Sequence, residues 1–468
     1  MWRVMWQHGP RRMGSMRSER APDTAELTLK GKALWSGIAI AGEAEPIFRA
    51  HPATLRSMLP ASLATAADPR LDLAGYFHAF VKTADDAANL VSRLKEDPDI
   101  IYADAQQRWQ HPVRFGTSDR TPILRQALSV PLPATPNLVP EQGYLAAAPG
   151  GVDALHAWTR PGGQGDGVKI VDVERGWNFS HEDLRANENG VIFGPSEDHD
   201  HGTAVLGICS GDVNPVGVTG ISPGAFVGAA SANYDFTLQK WNAADAIRAA
   251  VARLGPGDII LLEMHAPGPN AHGGGPQQGF IPVEYWQPEF AAISLATASG
   301  IYVVEAGGNG GEDLDAPIYG GAFSRQQRDS GAILVGAGHS AFNAHPRSRI
   351  SWSNFGSRVD VQGWGLDIVT TGGRSRSNYF DRVDDPDPSR CYSQSFGGTS
   401  GASPIVVGVI ACISGCLRAA NRPPLTPAQM STLLKETGTP QASAPGFPAS
   451  QNIGPLPNLK AALSQLNL

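Results

Sequence analysis

Cysteine is scarce in this chain. Four cysteines in 468 residues cannot staple a protein of this length, so folding must rest on a hydrophobic core rather than a disulfide framework. Long apolar runs are missing as well. No stretch of about 18 consecutive apolar residues occurs, so no transmembrane helix is expected. Basic charge is in deficit, with 37 Lys and Arg against 44 Asp and Glu, a net charge of −7. That excludes a generally basic surface for nucleic acid and leaves nothing to draw the chain to an anionic membrane. The first twenty residues hold five arginines and no apolar stretch of about 7–15, so they do not read as a secretory signal. The segment 33–42 is apolar, follows Asp23 and Glu26, and reads as a strand. Internal repeats and low-complexity segments are absent. Glycine and proline are plentiful, at 54 and 37 residues, about a fifth of the chain against an average near 12 %. With 41 % hydrophobic and 17 % charged residues, the chain reads as a turn-rich globular protein with one large core and a smaller companion.

The companion lies near the amino terminus. Residues 75–109 read strand, helix, strand: Phe77–Val81 is apolar with high β propensity, Asp85 is the expected N-cap, and Ala88, Leu90, Val91 and Leu94 recur at helical spacing. Asp97-Pro98 ends that helix, and a strand begins at Ile100. A Pro-rich passage from Pro112 to Pro149 reads as linker and extended lead-in. From Gly165 the pattern changes to short, continuously apolar runs at 168–172, 258–264, 301–306 and 332–338, with helical stretches such as Trp241–Leu254 between them. Strands apolar on both faces alternating with helices predict an α/β fold with a doubly wound, mostly parallel sheet. Active sites in such sheets lie beyond the carboxyl ends of the strands.

Three segments carry chemistry. VKIVDVERGWNFSHEDL puts Asp172 at the carboxyl end of a strand. DHDHGTAVLGICSG puts His201 before small residues that open a helix. SFGGTSGASPIVVGVIACISGCL puts Ser400 at the mouth of a helix that is apolar on nearly all sides, with Pro404 in its first turn, and therefore expected to be buried. A serine hydroxyl becomes a nucleophile when a histidine takes its proton and a carboxylate fixes that histidine's tautomer. Singly, Asp172 reads as a cap, His201 as a core histidine and Ser400 as an N-cap; together, each in its own small-residue motif, they read as a catalytic set. The order is Asp, His, Ser, with separations of 29 and 199 residues. A lipase or esterase would need Ser, Asp, His and G-x-S-x-G, and neither is met.

With Asp172 at a strand end, His201-Gly-Thr, Gly398-Thr-Ser400-x-Ala402-x-Pro404 and Ala306-Gly-Gly308-Asn309-Gly, the chain resembles the subtilisin-like serine peptidases of the subtilase superfamily over roughly residues 140–465. The resemblance implies a serine endopeptidase: Ser400 as nucleophile, His201 as general base and acid, Asp172 as orienting carboxylate, and Asn309 as oxyanion donor beside the N–H of Ser400. Protein or peptide substrates are implied, and the chemistry requires no cofactor. Two departures mark a divergent branch. Asp172-Val-Glu174 stands where most members carry Asp-Ser/Thr-Gly, and His201-Gly-Thr-Ala204 stands where they carry His-Gly-Thr-His. A silent, protein-binding scaffold and a calcium-dependent structural module are the competing readings, and a complete triad argues against both.

Family members are often made with a prodomain that inhibits in cis. The implied division is an unstructured 1–23, a ferredoxin-like prodomain at 24–113, a linker at 114–139 and the peptidase domain at 140–468, with roughly the first 110–135 residues removed by the enzyme itself. Extracellular location is the family expectation, set against the lack of a recognisable signal. A structural calcium site is implied at Asp183, Asn214, and backbone carbonyls near Val216 and Val218. Zinc is disfavoured, since Asp198, His199, Asp200 and His201 lack a well-spaced third ligand once His201 is assigned, as do His181 and Asp183. Cys209, Cys412 and Cys416 read as reduced structural thiols, with Cys391 the best candidate for a bond. In the substrate pocket, Glu263-Met264-His265 replaces the family's Ser-Leu-Gly, and Glu305 and Gly308 precede Asn309. Glu263 and Glu305 are expected either to be buried and merely shape the pocket, or to favour basic or polar over large aromatic side chains.

Overall fold

The computed structural model describes residues 1–8, 44–60, 63, 69–112, 135–197, 199–271, 277–372 and 387–468. The apolar runs become the centre of a seven-stranded parallel sheet. Its order is Val361–Trp364, Ile333–Gly338, Tyr302–Ala306, Ile259–Leu262, Lys169–Glu174, Phe226–Ser231 and Glu188–Phe193. Two cores cover the two faces, which is why these strands carry apolar side chains at successive positions. One core holds the helices Asp200–Ser210 and Thr399–Ala419. The other holds Ala243–Val251 and Gln287–Ala298. Among the described residues, Thr399–Ala419 alone has the length and hydropathy to cross a membrane, and its apolar window is wholly buried in the protein. Its continuous apolarity reflects a position inside the core.

The amino-terminal unit is a separate antiparallel sheet of order Glu45–Pro46, Tyr76–Val81, Trp2–His8, Ile100–Gln107, with the helix Ala84–Lys95 against it. The expected strand–helix–strand is present, although the cap is Thr83, whose hydroxyl accepts from the Asp86 N–H, and Asp85 lies in the first turn. The expectation of an unstructured 1–23 needs correction, because Trp2–His8 pairs with a strand on each side. The reason is a period of two. Val4 and Trp6 enter the small core with Ala87, Leu90 and Leu94, while Arg3, Met5 and Gln7 face the larger domain and are buried there. Arg3 is fully buried and meets Glu289 at 2.7 Å, Asn242 at 3.1 Å and His78 at 2.9 Å. This one side chain ties the small sheet to the helices 243–251 and 287–298. The expected strand at 33–42 and most of the expected linker lie outside the described residues.

Candidate active site

Strand ends and helix mouths converge on one cleft. Asp172 and Glu174 lie two apart on a strand, so both side chains leave the same face of the sheet. On that side His201 sits in the first turn of its helix, and Ser400 in the first turn of the helix capped by Gly398. Ser400 therefore presents its N–H at the positive end of a buried helix.

The imidazole of His201 is held by Glu174. His201 Nδ1 lies 2.9 and 3.0 Å from the two Glu174 carboxylate oxygens. Asp172 is engaged elsewhere: its Oδ2 accepts from Trp177 Nε1 at 2.7 Å. That indole packs where a side chain at Gly202 would stand, since a Cβ there would come within 2.4 Å of Trp177 Cδ1. The glycine after His201 thus leaves the space for the tryptophan that occupies Asp172. Asp172 and Glu174 stand side by side on that face, and each acts on the other's charge. Burial raises both carboxyls well above their ordinary range, with the charge of Glu174 adding to the rise of Asp172 and that of Glu263 to the rise of Glu174. Burial and the Arg175 charge hold His201 well below the ordinary histidine range, so the ring is a neutral base.

Residues 108–112 occupy the cleft. Gln110 donates its N–H to the carbonyl of His265 at 2.9 Å and accepts from the His265 N–H at 3.1 Å, an antiparallel bridge. Two residues on, the carbonyl of Pro112 accepts from the Ser400 N–H at 3.2 Å. Between them, the His111 ring stacks on His201, with centroids 3.8 Å apart and planes at 5°, and His111 Nε2 lies 2.9 Å from Glu174. Beneath this segment, His201 Nε2 and Ser400 Oγ are buried and have no hydrogen-bond partner among the described residues. His111, Glu174 and His201 are the one group of three potential ligand side chains found among the described residues, with Glu174 hydrogen-bonded to His201 and 2.9 Å from His111 Nε2.

Asn309 is anchored to the serine helix, its Oδ1 accepting from the Thr399 N–H at 3.0 Å and the Thr399 hydroxyl at 3.1 Å. One of its amide N–H groups donates to Gln277, whose own amide donates to the carbonyl of His111. Gly308, at φ +89°, donates its N–H to the Thr399 hydroxyl. A Cβ there would meet Asn354 Nδ2 at 2.7 Å, so the position needs glycine for both conformation and space. Sequence reasoning found these residues and matched Glu263-Met264-His265 to the family's substrate-pairing edge, but missed Gln277 and His111 entirely. Glu174 was visible only as a departure from the family's pattern.

The pocket carboxylates need correction. Glu263 faces the serine helix, where its carboxyl meets Ser403, while Glu305 lies on the opposite face, accepting the Glu284 N–H at 3.0 Å. Alternation decides this. Glu263 follows Leu261 on the His201 side, whereas Glu305 follows Val303 into the other core. The two do not share a pocket, and Met264 points into that other core as well. Ser403 has one proton and two neighbours, Glu263 and the Thr399 carbonyl. If its proton goes to the carbonyl, Glu263 must supply its own, in keeping with a carboxyl raised by burial.

The residues expected to bind calcium are turned upon one another. Asp183 accepts from Asn214 Nδ2 at 2.8 Å, from the Val218 N–H at 2.7 Å and from the Tyr392 hydroxyl at 2.9 Å. Asn214 Oδ1 accepts the Val216 N–H at 2.9 Å. Donors therefore face the carboxylate where a calcium ion would require oxygen, and this arrangement does not fit the cation. None of the four cysteines, Cys391 included, forms a disulfide among the described residues, and all are buried.

The sequence profile of the Subtilase family matches residues 150–454. The chain belongs to that family. It is similar to subtilisin amylosacchariticus of Bacillus subtilis, 26 % identical over 381 residues that cover 78 % of this chain and 76 % of the relative. M-protease of Shouchella clausii is 28 % identical over 290 residues, covering 59 % of this chain and 60 % of the relative. Among solved structures, the chain is similar to fervidolysin of Fervidobacterium pennivorans, a keratinolytic enzyme related to subtilisin. The TM-score is 0.57 at 17 % identity, covering 99 % of this chain and 60 % of that one, and it supports the fold alone. This subtilase is a serine endopeptidase, and its substrates are proteins or peptides.

Proposed function

We propose that Ser400 is the nucleophile and His201 the general base and acid, and that the amino-terminal unit inhibits in cis and is released by cleavage of the Pro112–Val113 bond. One observation carries the reading: the Pro112 carbonyl lies on the Ser400 N–H, in a segment that pairs with His265 as a substrate strand would. Ser400 Oγ attacks that carbonyl carbon as its proton passes to His201 Nε2. The oxyanion forms against the Ser400 N–H, with an Asn309 amide N–H as second donor, a contribution of about 2.7–4 kcal/mol per donor. Collapse breaks the C–N bond, His201 returns the proton to the Val113 amine, and water then hydrolyses the acyl-enzyme by the same route.

Wild type and Ser400→Ala, exposed to a fluorophosphonate and weighed by intact-mass spectrometry, test this. Wild type should label and yield a fragment beginning at Val113, while Ser400→Ala should stay unlabelled and full length. Processing of Ser400→Ala at the same bond, or an intact wild type with full activity, would overturn the proposal.

A further inference from the structure

The triad carboxylate is the point at which this chain parts from its sequence expectation. Given Ser400 and His201 in the roles just proposed, we infer that Glu174, not Asp172, positions the His201 imidazole, with Asp172 behind it as the proton-carrying partner. The order in the proposed relay is Asp172, Glu174, His201 and then the Ser400 hydroxyl.

Geometry carries this. Both Glu174 oxygens lie within 3.0 Å of His201 Nδ1, so the ring's other nitrogen, Nε2, is the one left for the serine. Asp172 Oδ2 accepts the Trp177 Nε1–H, and the indole fills the space that a side chain at Gly202 would need. A glutamate two residues further along the strand leaves the same face and carries one more methylene, so it reaches the imidazole over the aspartate.

Two carboxyls buried side by side on one face of a strand hold a proton between them. Its place follows from the neighbours. Glu174 takes the His201 Nδ1–H on both oxygens and has the His111 ring nitrogen 2.9 Å away, which suits an anion. Asp172 receives one indole N–H and is pushed up by the Glu174 charge, while Asp172 pulls Glu174 back down. The proton belongs on Asp172, which donates to Glu174. Glu263, the third carboxyl of the cluster, is held by Ser403 and takes no part in orienting the ring. When Ser400 gives up its proton, the imidazolium forms against Glu174, and the Asp172 proton stays where it is.

The test compares Glu174→Gln with Asp172→Asn on the full chain. Glu174→Gln should lower kcat by about 10³–10⁴-fold with KM within about threefold, as expected when the orienting carboxylate becomes an amide. Asp172→Asn keeps an N–H that can donate to Glu174, and should cost no more than about tenfold. Glu174→Asp, which restores charge with a shorter reach, should recover part of the Gln loss. The reverse ranking would overturn the inference.

A second measurement is independent of activity. In Ser400→Ala, the His201 Nδ1 proton should give a far-downfield NMR resonance that survives Asp172→Asn and disappears in Glu174→Gln. Its survival in Glu174→Gln would show that another acceptor holds the ring. An inactive wild type that keeps this resonance pattern would sink the proposed reaction and leave the positioning role standing.

Discussion

Replacing Arg3 by methionine should separate the amino-terminal sheet from the peptidase domain more effectively than any other single change in that sheet. Arg3 and Glu289 are both fully buried and 2.7 Å apart. Burial drives the Glu289 carboxyl upward, and the arginine is the largest influence pulling it back. Methionine fills much of the arginine's volume but leaves that carboxylate without its cation, removes one of two donors to Asn242 Oδ1, and takes away the Arg3 donor to His78 Nδ1 at 2.9 Å. Breaking a buried pair from one side costs about 3–5 kcal/mol. In a Ser400→Ala background, amide exchange over Trp2–His8 should accelerate by about 10²–10⁴-fold, the factor that such an energy implies. The double change Arg3→Met, Glu289→Leu should recover much of the loss, because two apolar groups replace the pair. A single-variant cost below about 1 kcal/mol, or a double variant worse than the single, would show that Arg3 does not hold this interface.

Further outcomes follow from the cleft. With Glu305 on the far face of the sheet, a positional peptide library should show no gain for Arg over Phe at the residue before the scissile bond, and should accept Pro; a strong Arg preference would return Glu263 to the role of a substrate-reading anion. Burial, together with the charges of His201 and Arg175, holds His111 below the ordinary histidine range. A released His111 titrates near about 6.5, so it binds protons more tightly when free, and the bound state loses stability as pH falls through that value. Exchange at Gln110 and His265 in Ser400→Ala, corrected for intrinsic rates, should therefore quicken between about pH 7.5 and 5.5, and a flat profile would refute it. Chelation should leave Tm unchanged, whereas Asp183→Ala should cost about 1–3 kcal/mol by leaving the buried Val218 N–H without its acceptor; a chelator-sensitive Tm would place a cation at that loop. Gly308→Ala should lower kcat by at least about tenfold, since neither its φ of +89° nor the 2.7 Å approach to Asn354 admits a Cβ.

The sequence by itself determined the strands, the buried serine helix, and the placement of His201 and Ser400 in first turns. All of these are local: continuous apolar runs, small-residue motifs and helix starts depend on neighbours in the chain. The Trp2–His8 strand was legible too, in its alternation, but a run of arginines obscured it, and only the partners Glu289 and Asn242 make a buried Arg3 tolerable. What the tertiary structure decided is which face each carboxylate leaves and what already occupies its neighbour. Glu263 and Glu305 close adjacent strands, yet a one-residue difference in parity sends them to opposite cores. Asp172 has the residue type and strand position expected of a triad carboxylate. Trp177, packed against Gly202, takes its free oxygen, and Glu174 reaches the imidazole in its place. A motif records residue types and spacing, while hydrogen bonding is set by reach and by competition among groups distant in sequence, so the partner of His201 was settled only in three dimensions.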